Sequence, residues 1–508
     1  MDINKKTIID TLLNGECVTL ECKRAKSEVP KSVWETYSAF ANTIGGVILL
    51  GIEENRKELD IKKRFQIIGV DDAQKIVNDF WNTINSDKVN ENILNSNDVD
   101  IVEIDNVQIV CIHVPQADWR IKPIFLNGNV YKGTYRRNHE GDYHCTERQV
   151  RAMIRDSFED GNDSRLLEHY DMRDIDLDSL HRYRTLFRFR NEGHVWNEVD
   201  DISFLRNLGG CTIDRESGKE TLTVAGLMMF GTGLAVRERF ANFRMDYINM
   251  CNLIGEERYS DRLTYDGRWE NNLFQFFSIV LPKISFDLPR PFRMVGLQRD
   301  DDTPQHKAVR EAFTNSIIHC DLMMESGVLR IEKHDDKLVF RNPGLLRLPI
   351  KQIFEGGVSY ARNPKIQNML RMVGYGENLG SGFPTIISAW KDAKWGEPEL
   401  KNKFEIDEVE LVLPIPMRGA NDTINDTLND TINDTLNDTL NDTLNDTLND
   451  SVKTTYTIIR SNPGIQRKGI ADISGKSVAT TGRHLAILVK EGLIEHRDSD
   501  KTGGYYAK

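Results

Sequence analysis

Apolar and polar residues alternate from Val18 to Lys23, with Val18, Leu20 and Cys22 set against Thr19, Glu21 and Lys23. That period of two predicts a half-buried strand carrying Glu21 and Lys23 on one face. A helix is predicted from Ser32 to Asn42. Gly45 and Gly46 then admit a tight turn into the apolar strand "VILLGI", which ends at Glu53 and Glu54. Further along, "LHRYRTLFRFRN" reads as an amphipathic helix whose arginines cover a solvated face, "DISFLRNLGG" as helical, and "TVAGLMMFG" as buried, with mixed strands after it. This stretch, up to about residue 300, is expected to be a connector packed on the domain that comes after it.

In "HKAVREAFTNSIIHCD", Glu311 and Asn315 lie four apart and share a helix face, with Arg310 and His319 nearby. "VLRIEKHDDKLVFRNPGLL" predicts two strands joined at Asp335–Asp336 and ending in Asn342, Pro343 and Gly344. "YGENLGSGFPTI" supplies Gly376, Gly380 and Gly382 ahead of a helix, where backbone N–H groups can hold phosphate. Arg362, Asn363 and Pro364 stand at another helix start, either as a lid over a ligand or as a plain capping turn.

At the carboxyl end, Pro463 and Gly464 break a first helix, Gly475 breaks a second, and Gly492 ends a third that begins after a Ser477 cap. The third helix is expected to turn Val478, Leu485, Leu488 and Val489 inward, leaving Lys476, Thr480, Thr481, Arg483 and His484 to face outward. A hairpin follows, with Gly503 and Gly504 near its turn.

Between the body and this end lies a tetrapeptide repeated from Asn421 to Val452, seven copies of NDT followed by Ile or Leu and a last one reading NDSV. An apolar residue every fourth position drifts by about 40° per repeat around a helix, since four residues turn roughly 400°. Only a right-handed supercoil between chains would keep that stripe buried. A flexible acidic tether, spanning on the order of 30 Å as a random coil, is the expected alternative and the favoured one.

The 508 residues are too many for one core, and no apolar run approaches the length that spans a bilayer. The first residues lack the apolar core of a secretory signal, and seven cysteines without a CxxC pair suit a reducing cytoplasm. The net charge of −12 is unevenly spread: eight aspartates and no basic residue lie between Asn421 and Asp450, whereas Lys453–Lys508 holds ten Lys or Arg against five acids. A basic terminal unit behind an acidic spacer points to nucleic acid as a partner.

Helix, helix, helix and basic hairpin resemble the winged helix-turn-helix family, whose third helix enters the major groove while the wing touches backbone. The resemblance implies that Arg483, Lys476 and Arg497 meet phosphates and that Thr480, Thr481 and His484 reach base edges. Such modules also serve as protein-docking units. "GECVTLECKRAKSEVPKSVWETYSAFANTIGGVILLGIEEN" resembles the Schlafen AlbA-type domain, with its acid, Glu-x-Lys, "AFANTxGG" and acidic pair. In that family's nuclease members three acids bind magnesium or manganese, and the matching positions are Glu16, Glu21 and one of Glu53 or Glu54, taken here as Glu53. Lys23 would then sit against phosphate, with Arg24, Arg136 and Arg137 following the nucleic-acid backbone. The family's "YxRxGSS" edge is replaced by "YKGTYRRNHEGD".

The Glu311/Asn315 pair resembles the GHKL ATPase family, in which Asn holds magnesium on the phosphates of ATP and Glu orients water. By that resemblance Glu311, Asn315, Asn342, Gly344, Gly380 and Gly382 would contact the nucleotide, although "NPGLL" stands where the family has "DxGxG". The expected chain is a multidomain α/β and α+β protein. It consists of a Schlafen-like α/β domain over 1–155, a connector over 156–300, a GHKL-like α/β sandwich over 301–417, the repeat over 418–452 and a winged helix-turn-helix over 453–508. The leading expectation is a cytoplasmic DNA-binding transcriptional regulator that senses ATP. Its rivals are a metal-dependent nuclease of RNA or DNA in defence against phage and an oligomeric scaffold built on the repeat.

Overall fold

The computed structural model describes residues 18–416 and 450–507, with breaks at 56–57, 59, 61–63, 160, 287, 290–293, 296–297, 300–301, 377–381, 462–463, 475–477, 491–492 and 498–503. Glu16, Gly380, Lys476 and the repeat up to residue 449 lie outside the described residues. The chain forms two compact units, one carrying the described residues of Met1–Leu180 and Glu198–Met417, the other those of His181–Asn197 and Arg418–Lys508. No helix among the described residues is long and apolar enough to cross a membrane.

The first unit begins with β1 (Leu20–Lys23), α1 (Ser32–Asn42) and β2 (Gly46–Leu50), as the alternation and glycines predict. β3 (Ile52–Glu54) pairs with β4 (Phe65–Ile67), and α2 (Ala73–Ile84) follows. Strands β5 (Val99–Ile104) and β6 (Val107–Val114) complete a sheet in the order β1-β2-β6-β5, with only β1 and β2 parallel. The polar residues of "SAFAN" serve the fold. Ser38 Oγ donates to the Ile124 carbonyl at 2.7 Å, and Asn42 brackets Ile124 by donating to its carbonyl (2.8 Å) and accepting from its N–H (2.8 Å). Gly45 needs its freedom twice over: its φ is +78°, and a Cβ there would lie 2.7 Å from the Val114 carbonyl oxygen.

The hairpin β7 (Tyr135–Asn138) and β8 (Gly141–His144) leads into α3 (Glu147–Asp156). Helix α4 (Leu177–Arg190) follows, then α5 (Asp201–Leu208), the pair β9 (Cys211–Ile213) and β10 (Glu220–Leu222), the wholly buried α6 (Val224–Phe230), and α7 (Gly233–Arg239). Next come β11 (Arg244–Asn249), β12 (Asp261–Leu263) and α8 (Leu273–Ser285). The final part holds α9 (Pro304–Ile318), β13 (Val328–Lys333), β14 (Lys337–Pro343), α10 (Ile350–Glu355), α11 (Pro364–Met372), α12 (Gly382–Ala393), β15 (Glu399–Lys403) and β16 (Glu408–Pro414).

These strands build one six-stranded sheet, ordered β12-β11-β13-β14-β16-β15. β11 lies parallel to β13 with Arg244 opposite Val328. The expected boundary at residue 300 is therefore corrected: β11 and β12, assigned to a connector, are strands of this sheet, β11 pairing with the edge of β13 that β14 leaves open. Phe313 of α9 stacks on Phe277 of α8 at 4.9 Å and reaches Phe340 of β14, joining helices and sheet in one core.

Asn363 caps α11 by position, yet its side chain holds the Ile317 and Cys320 carbonyls instead (3.1 and 2.8 Å). The helix is capped from a distance by Asp163, fully buried, whose Oδ2 accepts from the Ile366 N–H at 2.8 Å. Burial raises the Asp163 pKa to about 7. A folded-state pKa above the unfolded value of about 3.9 means that the native state keeps a proton the unfolded chain has lost. This group's contribution is thus complete below about pH 4 and falls by up to about 1.4 kcal/mol per pH unit until pH passes about 7. Urea unfolding at several pH values across that window should show the slope in wild type, and Asp163→Asn should flatten it. An unchanged slope would contradict the assignment.

The second unit contains α13 (Asp450–Ser461), α14 (Arg467–Ser474), α15 (Val478–Lys490) and the hairpin β17 (Ile494–Arg497) with β18 (Gly504–Ala507), close to the predicted breaks. Its core joins Val452, Ile459, Ile470, Leu485, Leu488 and Ile494. Val452, which ends the last tetrapeptide, is 4% exposed and belongs to this core.

Candidate nucleotide cavity and nucleic-acid surfaces

Thr303 caps α9 and Pro304 opens it, which sets Glu311 and Asn315 one turn apart above the sheet. Asn315 Nδ2 donates to Glu311 Oε1 at 3.2 Å. Both line a cavity of about 120 Å³ whose floor is Phe340, Val409 and Leu411 and whose sides include Leu345, Leu346, Arg347 and Phe383. Asn342 of β14 lines it too. That residue is 5% exposed, and its Nδ2 is buried without a hydrogen-bond partner. A buried donor left unpaired costs free energy that an acceptor on a ligand would recover.

Gly344 has φ +93°, and a Cβ there would meet Arg362 Nη1 at 2.7 Å, so only glycine lets the chain turn over that guanidinium. A Cβ at Gly382 would run into the Glu311 carboxylate. Five of the six expected nucleotide residues are described; four of them (Glu311, Asn315, Asn342 and Gly382) share this cavity, whereas Gly344 lines a different one. Arg362 is not a lid. It is 2% exposed and donates two parallel bonds to Asp156 of α3, both 2.8 Å. His319, at the end of α9, is driven down to a pKa of about 3 by burial and by Arg362 and Arg347, so it is neutral near pH 7. The apolar floor, the Glu/Asn pair and the orphaned Asn342 amide fit part of a nucleotide, the cavity being smaller than the roughly 300 Å³ of most ligand sites.

At the amino end, Glu21 is 7% exposed rather than open to solvent on a strand face. Lys23 Nζ lies 2.5 Å from its Oε1 and Arg137 Nη2 lies 2.8 Å from its Oε2. Arg137 also holds Asp142 at 2.9 Å. Glu53 is half-exposed beside Arg24 at 3.4 Å, and Glu54 pairs with Arg64. Among the described residues no three His, Cys, Asp or Glu side chains converge as a metal site. Of the three expected metal ligands, Glu16 lies outside the described residues, Glu21 is held by an ammonium and a guanidinium, and Glu53 stands beside Arg24. Arg136 and Arg137, expected to follow a nucleic-acid backbone, are instead buried at 7% and 2% exposure; Arg136 pairs with Asp407 at 2.6 Å. The carboxylates that claim them are remote or modest in sequence, so the basic run alone looks like an open edge.

On α15, Arg483 is exposed and Thr480 half-buried. Thr481 and His484, expected to reach base edges, are corrected to the inner face at 0% and 8% exposure, because His484 Nδ1 meets Thr455 Oγ1 of α13 at 2.8 Å. Val489, expected inside, is 47% exposed. The buried stripe runs 481, 484, 485, 488, so it keeps Leu485 and Leu488, takes in Thr481 and His484 and leaves out Val489. Arg497 on the wing is exposed, pairs with Glu495 at 2.6 Å and lies over Tyr506. Trp119, Lys122, Arg347 and Tyr360 were missed as candidates. Their placement beside cavities is tertiary and leaves no mark in local spacing.

Family models match four stretches: Schlafen, AlbA_2 over residues 16–146, a domain of unknown function (DUF8451) over 151–246, the recG C-terminal model of ATP-dependent DNA helicase type over 328–413, and winged helix-turn-helix DNA-binding over 448–495. The chain thus carries a Schlafen AlbA-type domain, a recG C-terminal type domain and a winged helix-turn-helix, in that order. No curated protein matches it. The crystal structure of the DIP2311 protein from Corynebacterium diphtheriae aligns over 98% of both chains at 13% identity, with a TM-score of 0.39. The solution structure of the N-terminal domain of a RecG-related protein from Nitrosomonas europaea covers 28% of this chain and 94% of that one, at 25% identity and a TM-score of 0.22. At these scores neither structure bears on function.

Proposed function

We propose that this chain is a nucleic-acid-binding regulator of transcription whose hold on DNA responds to a nucleotide in the cavity beneath α9. The observation that carries the reading is the cationic exposed edge of the winged unit, Arg483 on α15 and Arg497 on the wing, on a segment that matches a DNA-binding model. Exposed guanidiniums neutralise phosphates, and a third helix of this kind enters the major groove. The nucleotide part is supported by the GHKL-like pairing of Glu311 with Asn315 and by the unpaired Asn342 amide, which suits a ring acceptor of a base. Asn315 would face the phosphates and their magnesium, which supplies charge neutralisation when bound. The regulatory reading is preferred to metal-dependent cleavage at the amino end, where Lys23 and Arg137 already hold the Glu21 carboxylate.

The test is fluorescence anisotropy of the full chain with labelled duplex DNA at low salt, with and without ATP and magnesium. Wild type should bind, with affinity that changes when ATP is added. Arg483→Ala should weaken binding by about tenfold and reduce the salt slope by roughly one. Asn315→Ala should remove the ATP response. No binding to any duplex, or binding indifferent to Arg483, would refute the proposal.

A further inference from the structure

A second cavity, of about 190 Å³, opens between α3 and the segments 321–325 and 344–347. Six cations line it, Lys122, Arg136, Arg148, Arg151, Arg155 and Arg347, against four acids, Asp156, Asp321, Glu325 and Asp407. The acids use only part of the donor capacity. Arg136 gives Nη1 to Asp407, Arg155 gives Nη2 to Asp321, and Arg347 Nη2 stands 3.6 Å from Asp156. Left buried without any hydrogen-bond partner are Arg136 Nε and Nη2, Arg155 Nε, Arg347 Nε and Trp119 Nε1. No buried side-chain oxygen of the lining residues is in that condition.

An imbalance of this kind has a sign. Five orphaned donors on four residues of one cavity call for a ligand that is all acceptor, negatively charged and compact. We propose that this cavity binds a small phosphoryl-bearing anion, a phosphate monoester or a diphosphate, through Arg136, Arg155, Arg347 and Trp119. A tetrahedral group with several oxygens can accept from guanidiniums on different elements at once, which a planar carboxylate does less well. Lys122 agrees with this. Burial and the facing Arg136 hold its ammonium down to a pKa of about 7, the mark of a cation-rich site lacking a counter-charge. The site is separate from the nucleotide cavity, but Leu345, Leu346 and Arg347 line both.

The probe is pyrophosphate, titrated calorimetrically into the full chain at constant ionic strength without divalent ions. One saturable equivalent is expected, with a dissociation constant below about 1 mM. Arg136→Gln should weaken it by about tenfold to a hundredfold, the loss of a charge-assisted donor. Because Arg136 also holds Asp407, two further variants guard against misfolding: Trp119→Phe, which removes one donor and keeps the ring, and the double change Arg148→Gln with Arg151→Gln. Each should weaken binding by about threefold or more, while Asn315→Ala should bind as wild type does. Absence of saturable heat would overturn the proposal. So would binding indifferent to all of these cation and indole variants, or binding abolished by Asn315→Ala, which would place the anion in the other cavity.

Discussion

Arg362→Ala is expected to lower the free energy of unfolding by about 3–5 kcal/mol, the cost of leaving a buried charge without its partner. Arg362 donates Nε and Nη2 to the two oxygens of Asp156, Nη2 again to the Leu345 carbonyl at 2.8 Å, and Nη1 to the His319 carbonyl. One side chain thereby ties α3 to α9 and to the turn after β14. Burial alone would raise the Asp156 pKa, but Arg362, Arg347 and Arg155 outweigh it and hold that carboxyl below the usual carboxylate range. A depressed folded-state pKa contributes stability that is present above the unfolded pKa and lost as pH falls through the folded one. Chemical denaturation followed by tryptophan fluorescence would measure the loss. The pair Arg362→Met with Asp156→Leu should recover most of it, since removing both charges also removes their desolvation. A loss below about 1 kcal/mol in the single variant would mean that the bridge is no more than a surface ion pair.

Arg137→Ala should cost a similar amount, again about 3–5 kcal/mol. It would leave Glu21 on β1 with Lys23 as its remaining cation and Asp142 on β8 with the Thr36 hydroxyl, which donates to it at 2.6 Å, in place of a guanidinium. The guanidinium lies over the Phe40 ring at 5.2 Å, so packing is lost along with charge. A double-mutant cycle with Glu21→Gln separates the two parts. Neutralising Glu21 in the Arg137→Ala background should restore about 1–2 kcal/mol, whereas Glu21→Gln alone should destabilise. Additive effects would show that Arg137 acts through packing alone.

Much of the architecture is legible in local spacing. The alternation around Glu21, the glycine pair after α1, the Asp335–Asp336 turn and the breaks between α13, α14 and α15 all depend on residues within one turn or one pleat of each other. What was illegible depends on partners far away in the chain. Arg136 and Arg137 look like an exposed basic edge until Asp407 and Glu21 are brought to them. His484 looks polar and outward until Thr455 meets it across the unit's core. Asp163 gives no hint that it caps α11. The Glu311/Asn315 pair is visible in the sequence because its spacing is helical, but the Asn342 amide acquires meaning only from the cavity around it.

The parallel pairing of β11 with β13 also bears on how the chain comes off the ribosome. β11 is made well before its neighbour, so for a time its amide and carbonyl edge faces water with nothing to bind. A strand edge in that state is open to pairing with another nascent chain.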